Sequence, residues 1–277
     1  MTHFGGDAIV TDELRYFDSN GVKIGYLARG HGEPVVLLHG FVFSTSPAWI
    51  EGGFLETLSS ANRVVAMDLR GHGQSGKPHD PAGYGLEMVN DVVRLIDHLE
   101  FERVHLIGYS LGGILASKFL AVAPQRLRSV VIGGAGWVRE GDSTYQSWVP
   151  LAELLERVKP GESLSAYFWP NAAERPPREI QQMVDANDSG ALAAVARGML
   201  DVTVGEEVLR SNRVPMLAVC GALDPVKPSV LAMKAIARNL TIRVVQGLDH
   251  HSLPGSKKFR DLSRKFISRH KGSDRAW

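Results

Sequence analysis

The segment Val104-His105-Leu106-Ile107-Gly108-Tyr109-Ser110-Leu111-Gly112 changes its hydrophobic period at a serine. Val104 to Ile107 read as a short buried strand, whereas Leu111, Leu115 and Phe119 recur at helical spacing. The chain is therefore expected to turn from strand to helix between Gly108 and Gly112, with Ser110 on the corner. Glycines on both sides let the two elements approach closely while the serine takes a strained conformation and projects from the carboxyl end of the strand. A hydroxyl held there can attack a carbonyl, provided that a base removes its proton and a third group orients the base.

In an open parallel sheet such partners belong at the carboxyl ends of other strands, which narrows the choice among ten histidines. Asp224 follows the apolar run "VPMLAVCG" in the loop "CGALDPVKP" and is the candidate orienting acid. The next run ends in "VVQGLDHHSLP", which offers His250 or His251 as the base. Adjacent side chains point in different directions, and the spacing from Gly247 favours His250. Asp249 reads as a loop carboxylate. The oxyanion formed on attack needs donors already in place. The Leu111 N–H opens the helix after the serine, and the Phe41 N–H follows the strand ending "LLHGF", where Gly40 permits close approach. His39 reads as a structural histidine of that turn.

Short apolar runs at 34–40, 63–68, 103–108, 127–134, 214–221 and 241–247 supply the strands. Helical patterns separate several of them, most clearly at 86–99, where Leu86, Val89, Val92, Val93, Ile96 and Leu99 form a stripe. This alternation predicts an α/β fold with a mostly parallel sheet covered on both faces. The first segment, "LRYFDSNGVKIGYLARG", carries an Asn-Gly turn and predicts an antiparallel hairpin at the sheet edge. The alternation stops between 137 and 213, where Pro150, Pro160, Pro170, Pro176 and Pro177 punctuate helical pieces and no strand signal occurs. That stretch reads as an inserted helical lid, and residues 1–136 and 214–277 as the core domain. The insert carries Trp137, Trp148 and Trp169, some of which are expected to line an apolar pocket.

The 277 residues are 44% hydrophobic, enough for a sizeable core, and 31 basic against 30 acidic side chains leave no field that calls for nucleic acid or an anionic membrane. The lone cysteine, Cys220, lies in an apolar strand, excludes a disulfide within the chain and suits a cytoplasmic, reducing compartment. The opening residues have neither the basic start nor the apolar stretch of a signal peptide, and no run approaches the ~20 apolar residues of a membrane span. The sequence "GHGQSG" at 71–76, followed by Lys77, nearly spells a phosphate-binding loop. Pro78 stands where a hydroxyl would hold magnesium, however, and the helical stripe begins only near Leu86. A structural turn braced by Asp68 and Arg70 is the better reading. No pattern calls for a metal or another cofactor, and none specifies an oligomeric state.

With "LLHGF", "DLRGHGQS", "GYSLGG", "GALDP" and "GLDHH" in this order, the chain resembles the alpha/beta-hydrolase fold superfamily from about residue 14 to 270. The resemblance implies an eight-stranded sheet, a lid after the sixth strand, a triad on Ser110, Asp224 and His250, and an oxyanion hole at Phe41 and Leu111. It points to the serine-nucleophile branch, since haloalkane dehalogenases and related epoxide hydrolases use aspartate at the position of Ser110. Cleavage of carboxylic esters of small to medium apolar substrates is the first expectation. Carbon-carbon hydrolysis of ring-cleavage products, a perhydrolase or haloperoxidase-like activity, and a ligand receptor retaining the triad are the alternatives. The carbon-carbon reading requires an arginine of the insert, Arg139, Arg175 or Arg197, in the pocket.

Overall fold

Runs of valine, isoleucine and leucine without polar alternation can bury both faces, and here they pair into one eight-stranded sheet. The computed structural model describes residues 10–272 apart from 140, 172 and 174. The strands are β1 (Val10–Ser19), β2 (Val22–Arg29), β3 (Pro34–Leu38), β4 (Arg63–Met67), β5 (Val104–Tyr109), β6 (Leu127–Gly133), β7 (Met216–Gly221) and β8 (Leu240–Val245). Their spatial order is β1-β2-β4-β3-β5-β6-β7-β8, with β2 antiparallel to both its neighbours and every other pair parallel. The edge hairpin turns through Asn20 and Gly21, both at positive φ (57° and 79°), as a two-residue turn matched to strand twist requires.

Central β5 is buried at every position. One core packs on the face carrying the helices Leu86–His98 and Leu111–Val122, and a second, built on Trp49, Phe54 and Phe259, fills the other. The stripe expected on the first helix is displaced. Leu86 is exposed, because it is the first residue of the helix, and the buried face consists of Met88, Val89, Val92, Leu95 and Ile96. Asp91 is buried on that face, where the Arg70 guanidinium donates to both its oxygens at 2.6 and 2.9 Å.

Between β6 and β7 the chain forms helices Ser143–Glu156, Leu164–Phe168, Arg178–Asp185, Ser189–Gly198 and Glu206–Ser211, with no strand among the described residues. Pro150 does not end a helix as its type led us to expect; Ser143–Glu156 runs through it. The proline lies on the exposed side, where water can satisfy the carbonyl it leaves unpaired, while Trp148, Ala152 and Leu155 anchor the buried side. Among the described residues no helix is long and apolar enough to cross a membrane.

Three histidines are fully buried beside or within the sheet. His39 accepts the Leu69 N–H at 2.9 Å, His72 donates from Nδ1 to the Arg70 carbonyl at 3.1 Å, and His105 pairs with Ser129 Oγ at 2.7 Å. Burial penalises the imidazolium and lowers all three, His72 to about 3 and His105 to about 4. The unfolded chain takes up these protons near pH ~6.5 while the native core refuses them, so stability present above that pH is lost as the pH falls. Unfolding free energies from denaturant titration should therefore drop steadily from pH 6.5 to 4.5, above the main carboxylate range, by up to about 1.4 kcal/mol per pH unit for each of His72 and His105. A flat profile over that interval would contradict the burial of neutral imidazoles.

Candidate active site

Ser110 sits between the end of β5 and the helix Leu111–Val122 at φ 53°, ψ −115°, a conformation that L-residues avoid. Two glycines make the corner possible. A Cβ on Gly108 would lie 2.1 Å from the Gly112 carbonyl oxygen, and one on Gly112 would lie 2.2 Å from that of Leu38. The strain is held by the Ser110 N–H donating to the Gly133 carbonyl at 2.8 Å and by the Gly112 N–H donating to that of His39 at 3.1 Å.

The loops after β7 and β8 bring Asp224 and His250 to this corner. His250 Nε2 lies 2.9 Å from Ser110 Oγ, and its Nδ1 lies 3.2 and 3.1 Å from the two Asp224 oxygens. The carboxylate can only accept here, which puts the imidazole proton on Nδ1 and leaves Nε2 free to take the serine proton. Asp224 is buried and also accepts the Val226 N–H at 3.0 Å. His251 instead points into a neighbouring cavity. Asp249 stays in its loop, where one oxygen accepts the N–H groups of His251 and Ser252 and the Ser252 hydroxyl, bonds that lower its carboxyl to about 2.

After β3 the Phe43 N–H closes a turn onto the Gly40 carbonyl at 3.2 Å, with Phe41 and Val42 at its centre and Val42 at φ 60°. A β-branched residue in the left-handed region is strained by on the order of 1–3 kcal/mol and must be held by its surroundings. His39 donates from Nδ1 to the Gly40 carbonyl at 2.8 Å, and Asn187 donates to that of Val42 at 3.0 Å. Asp68 accepts the N–H groups of Thr45 and Gln74, each at 2.7 Å. This framework brings Gly40 so near the serine that a Cβ on it would be 3.3 Å from that of Ser110. Leu111 follows Ser110 at a helix start that leaves its N–H without an intrahelical acceptor, and Phe41 follows Gly40 on this turn.

Beside the serine opens a cavity of about 580 Å³. Its walls are mostly apolar: Val42, Phe43, Trp49, Trp169, Ile180 and Met183 among them. Of the insert's tryptophans only Trp169 lines it; Trp137 and Trp148 are core residues. None of the three arginines that a carboxylate-bearing substrate would need is among the residues that line the cavity. Arg139 stacks over Trp137, Arg175 donates to the Trp169 carbonyl, and Arg197 pairs with Glu156.

One contact escaped the sequence reading. The Tyr109 hydroxyl donates to the His250 backbone carbonyl, and its ring lies 5.5 Å from the imidazole. The two residues are 141 positions apart, so no local pattern could have signalled the bond. Burial and the nearby Asp224 raise the phenol pKa, which keeps it a donor. Ser110 should be labelled covalently by a fluorophosphonate. Tyr109→Phe, which keeps the ring and removes only this donor, should slow labelling about three- to tenfold, checked by intact-mass kinetics. An unchanged rate would show that the hydroxyl does not position His250.

A family model for the alpha/beta hydrolase fold matches residues 33–165. The human serine hydrolase BPHL is 30% identical over 76% of this chain and 69% of its own length. An acetyltransferase component of an acetoin cleaving system from Cupriavidus necator is 32% identical over 56% of the chain, which spans only 41% of that protein. Among solved structures, a thermophilic esterase from Thermogutta terrifontis superposes with a TM-score of 0.76 at 22% identity, covering 93% of this chain and 99% of that one. A sheet, a strand-to-helix corner and a relative matched over most of both chains agree in placing this protein in the alpha/beta hydrolase family.

Proposed function

We propose that the protein is a serine hydrolase that cleaves carboxylic esters of small to medium, mainly apolar substrates. The observation that carries this reading is the hydrogen-bonded series Asp224, His250, Ser110 at the edge of a largely apolar cavity. In the first half-reaction Ser110 Oγ bonds to the ester carbonyl carbon as its proton passes to His250 Nε2. The negative oxygen is received by the N–H groups of Phe41 and Leu111. The carbon–oxygen ester bond then breaks, and His250 returns the proton to the departing alcohol. Water repeats the sequence on the acyl-serine, releasing the acid and restoring the hydroxyl. Asp224 holds the imidazole and offsets its charge while it carries the proton.

Residues 137–213 are read as a lid domain over a core of residues 1–136 and 214–277. The lid supplies Trp169, Ile180 and Met183 to the cavity. Cys220, buried in β7, fits residence in a reducing compartment such as the cytoplasm. Engagement of Arg139 with Trp137, of Arg175 with the Trp169 carbonyl and of Arg197 with Glu156 leaves none of them lining the cavity, which supports esters over the carboxylate-bearing substrates of carbon-carbon hydrolysis.

Hydrolysis of p-nitrophenyl acetate tests the reading. Ser110→Ala or His250→Ala should lower kcat by about 10⁴- to 10⁶-fold, and Asp224→Asn by about 10⁴-fold, at unchanged thermal stability. Full turnover in Ser110→Ala would sink the mechanism.

A further inference from the structure

The two flanks of Ser110 are built differently. On one, the residues that follow His250 in the chain, His251, Ser252 and Pro254, form a wall of the 580 Å³ cavity. A second cavity of about 380 Å³ adjoins it and shares Val42, Phe43, Ile180 and Met183. On the other flank Leu111 is 1% exposed and Trp148 7%, so little solvent-accessible space borders them. Phe41 packs edge-on against Trp148 at 5.9 Å and against His72 at 5.7 Å, which closes that side further.

Chemistry assigns these flanks. The oxygen that leaves must lie beside His250 Nε2 to receive its proton, so the leaving group extends toward the histidine loop and the acyl group away from it. We infer that the open cavity receives the alcohol of the ester, that this alcohol is bulky, apolar and free of anionic groups, and that the acyl group is short. The charge of the linings sets the last condition on the alcohol. Glu51, Glu179 and Asp249 border the two cavities, and among the described residues no lysine or arginine does. A carboxylate or phosphate on the leaving group would meet these carboxylates, with the His251 imidazole as the one lining side chain able to offset them, whereas an apolar ring finds Phe43, Trp49, Trp169, Ile180 and Met183.

This assignment rests on the ester reading, so its test has an arm that needs no turnover. With acyl size fixed, kcat/KM for 2-naphthyl acetate should exceed that for phenyl acetate, a leaving group of similar acidity, about fivefold from the added buried area. With the alcohol fixed, p-nitrophenyl esters should lose more than about tenfold between acetate and octanoate, because the filled flank must be forced apart. Independently, 2-naphthol should bind the Ser110→Ala protein in calorimetry, and Met183→Trp, which fills the cavity, should weaken that binding about tenfold or more. Rising rates with acyl length, or naphthol binding indifferent to Met183→Trp, would overturn the assignment. Failure of the wild type to cleave any ester, with naphthol binding still dependent on Met183, would overturn the ester reading and retain the cavity as the seat of an apolar ring.

Discussion

Backbone meets backbone where β5 passes into the helix Leu111–Val122, with no side chain between Gly108 and Gly112 or between Gly112 and Leu38. That contact sets the height at which Ser110 leaves the sheet. It also sets how near the turn after β3 can come to it. Because β5 lies between β3 and β6, the loop that supplies Phe41 arrives from one side and those that supply Asp224 and His250 arrive from the other. A single added methyl group at either glycine would push these sides apart, and the distances of about 3 Å on which proton transfer depends would be lost.

Ser110 and Val42 are both held at positive φ, and polar groups sustain the turn on which Val42 lies. His39 and Asp68 reach from adjacent strand ends to hold the turn, and the Arg70–Asp91 pair ties the neighbouring loop to the helix behind it. Buried polar groups of this kind are tolerable only when each is met by a partner. Their cost is compensated by geometry, since two residues are kept in conformations that the isolated chain would abandon.

Much of the fold was legible because a parallel sheet covered on both faces demands mainly apolar runs, and β3 to β7 are such runs despite His105 and Ser129. Asn20-Gly21 announced the hairpin through its tolerance of positive φ. Ser110, Asp224 and His250 stood out because each follows a strand end, a local feature, and the fold brings them within hydrogen-bonding distance. What was not legible is what depends on the remainder of the molecule. Leu86 fits a helical stripe and yet lies at a helix end; Pro150 looks like punctuation and is carried through by packing; Val42 gives no hint of its left-handed backbone. The Tyr109 bond and the cavity join segments far apart in the chain, and periodicity carries no information about such meetings.

The hydroxyl and the imidazole that faces it are 140 residues apart, and β8, from which the histidine loop departs, is an edge strand hydrogen-bonded to β7. During synthesis, when amino-terminal parts order first, the corner and the turn after β3 can assemble long before any base has emerged. A nascent chain thus carries Ser110 with no histidine facing it until the sheet is complete. The converse holds in the finished molecule. Edge elements open at lower free energy than central strands, so peeling of β8 would withdraw the histidine while β5 and its serine stayed in place. The Ser110–His250 contact is thereby coupled to the integrity of the outermost strand, and a partly opened molecule would lose it before it lost its core.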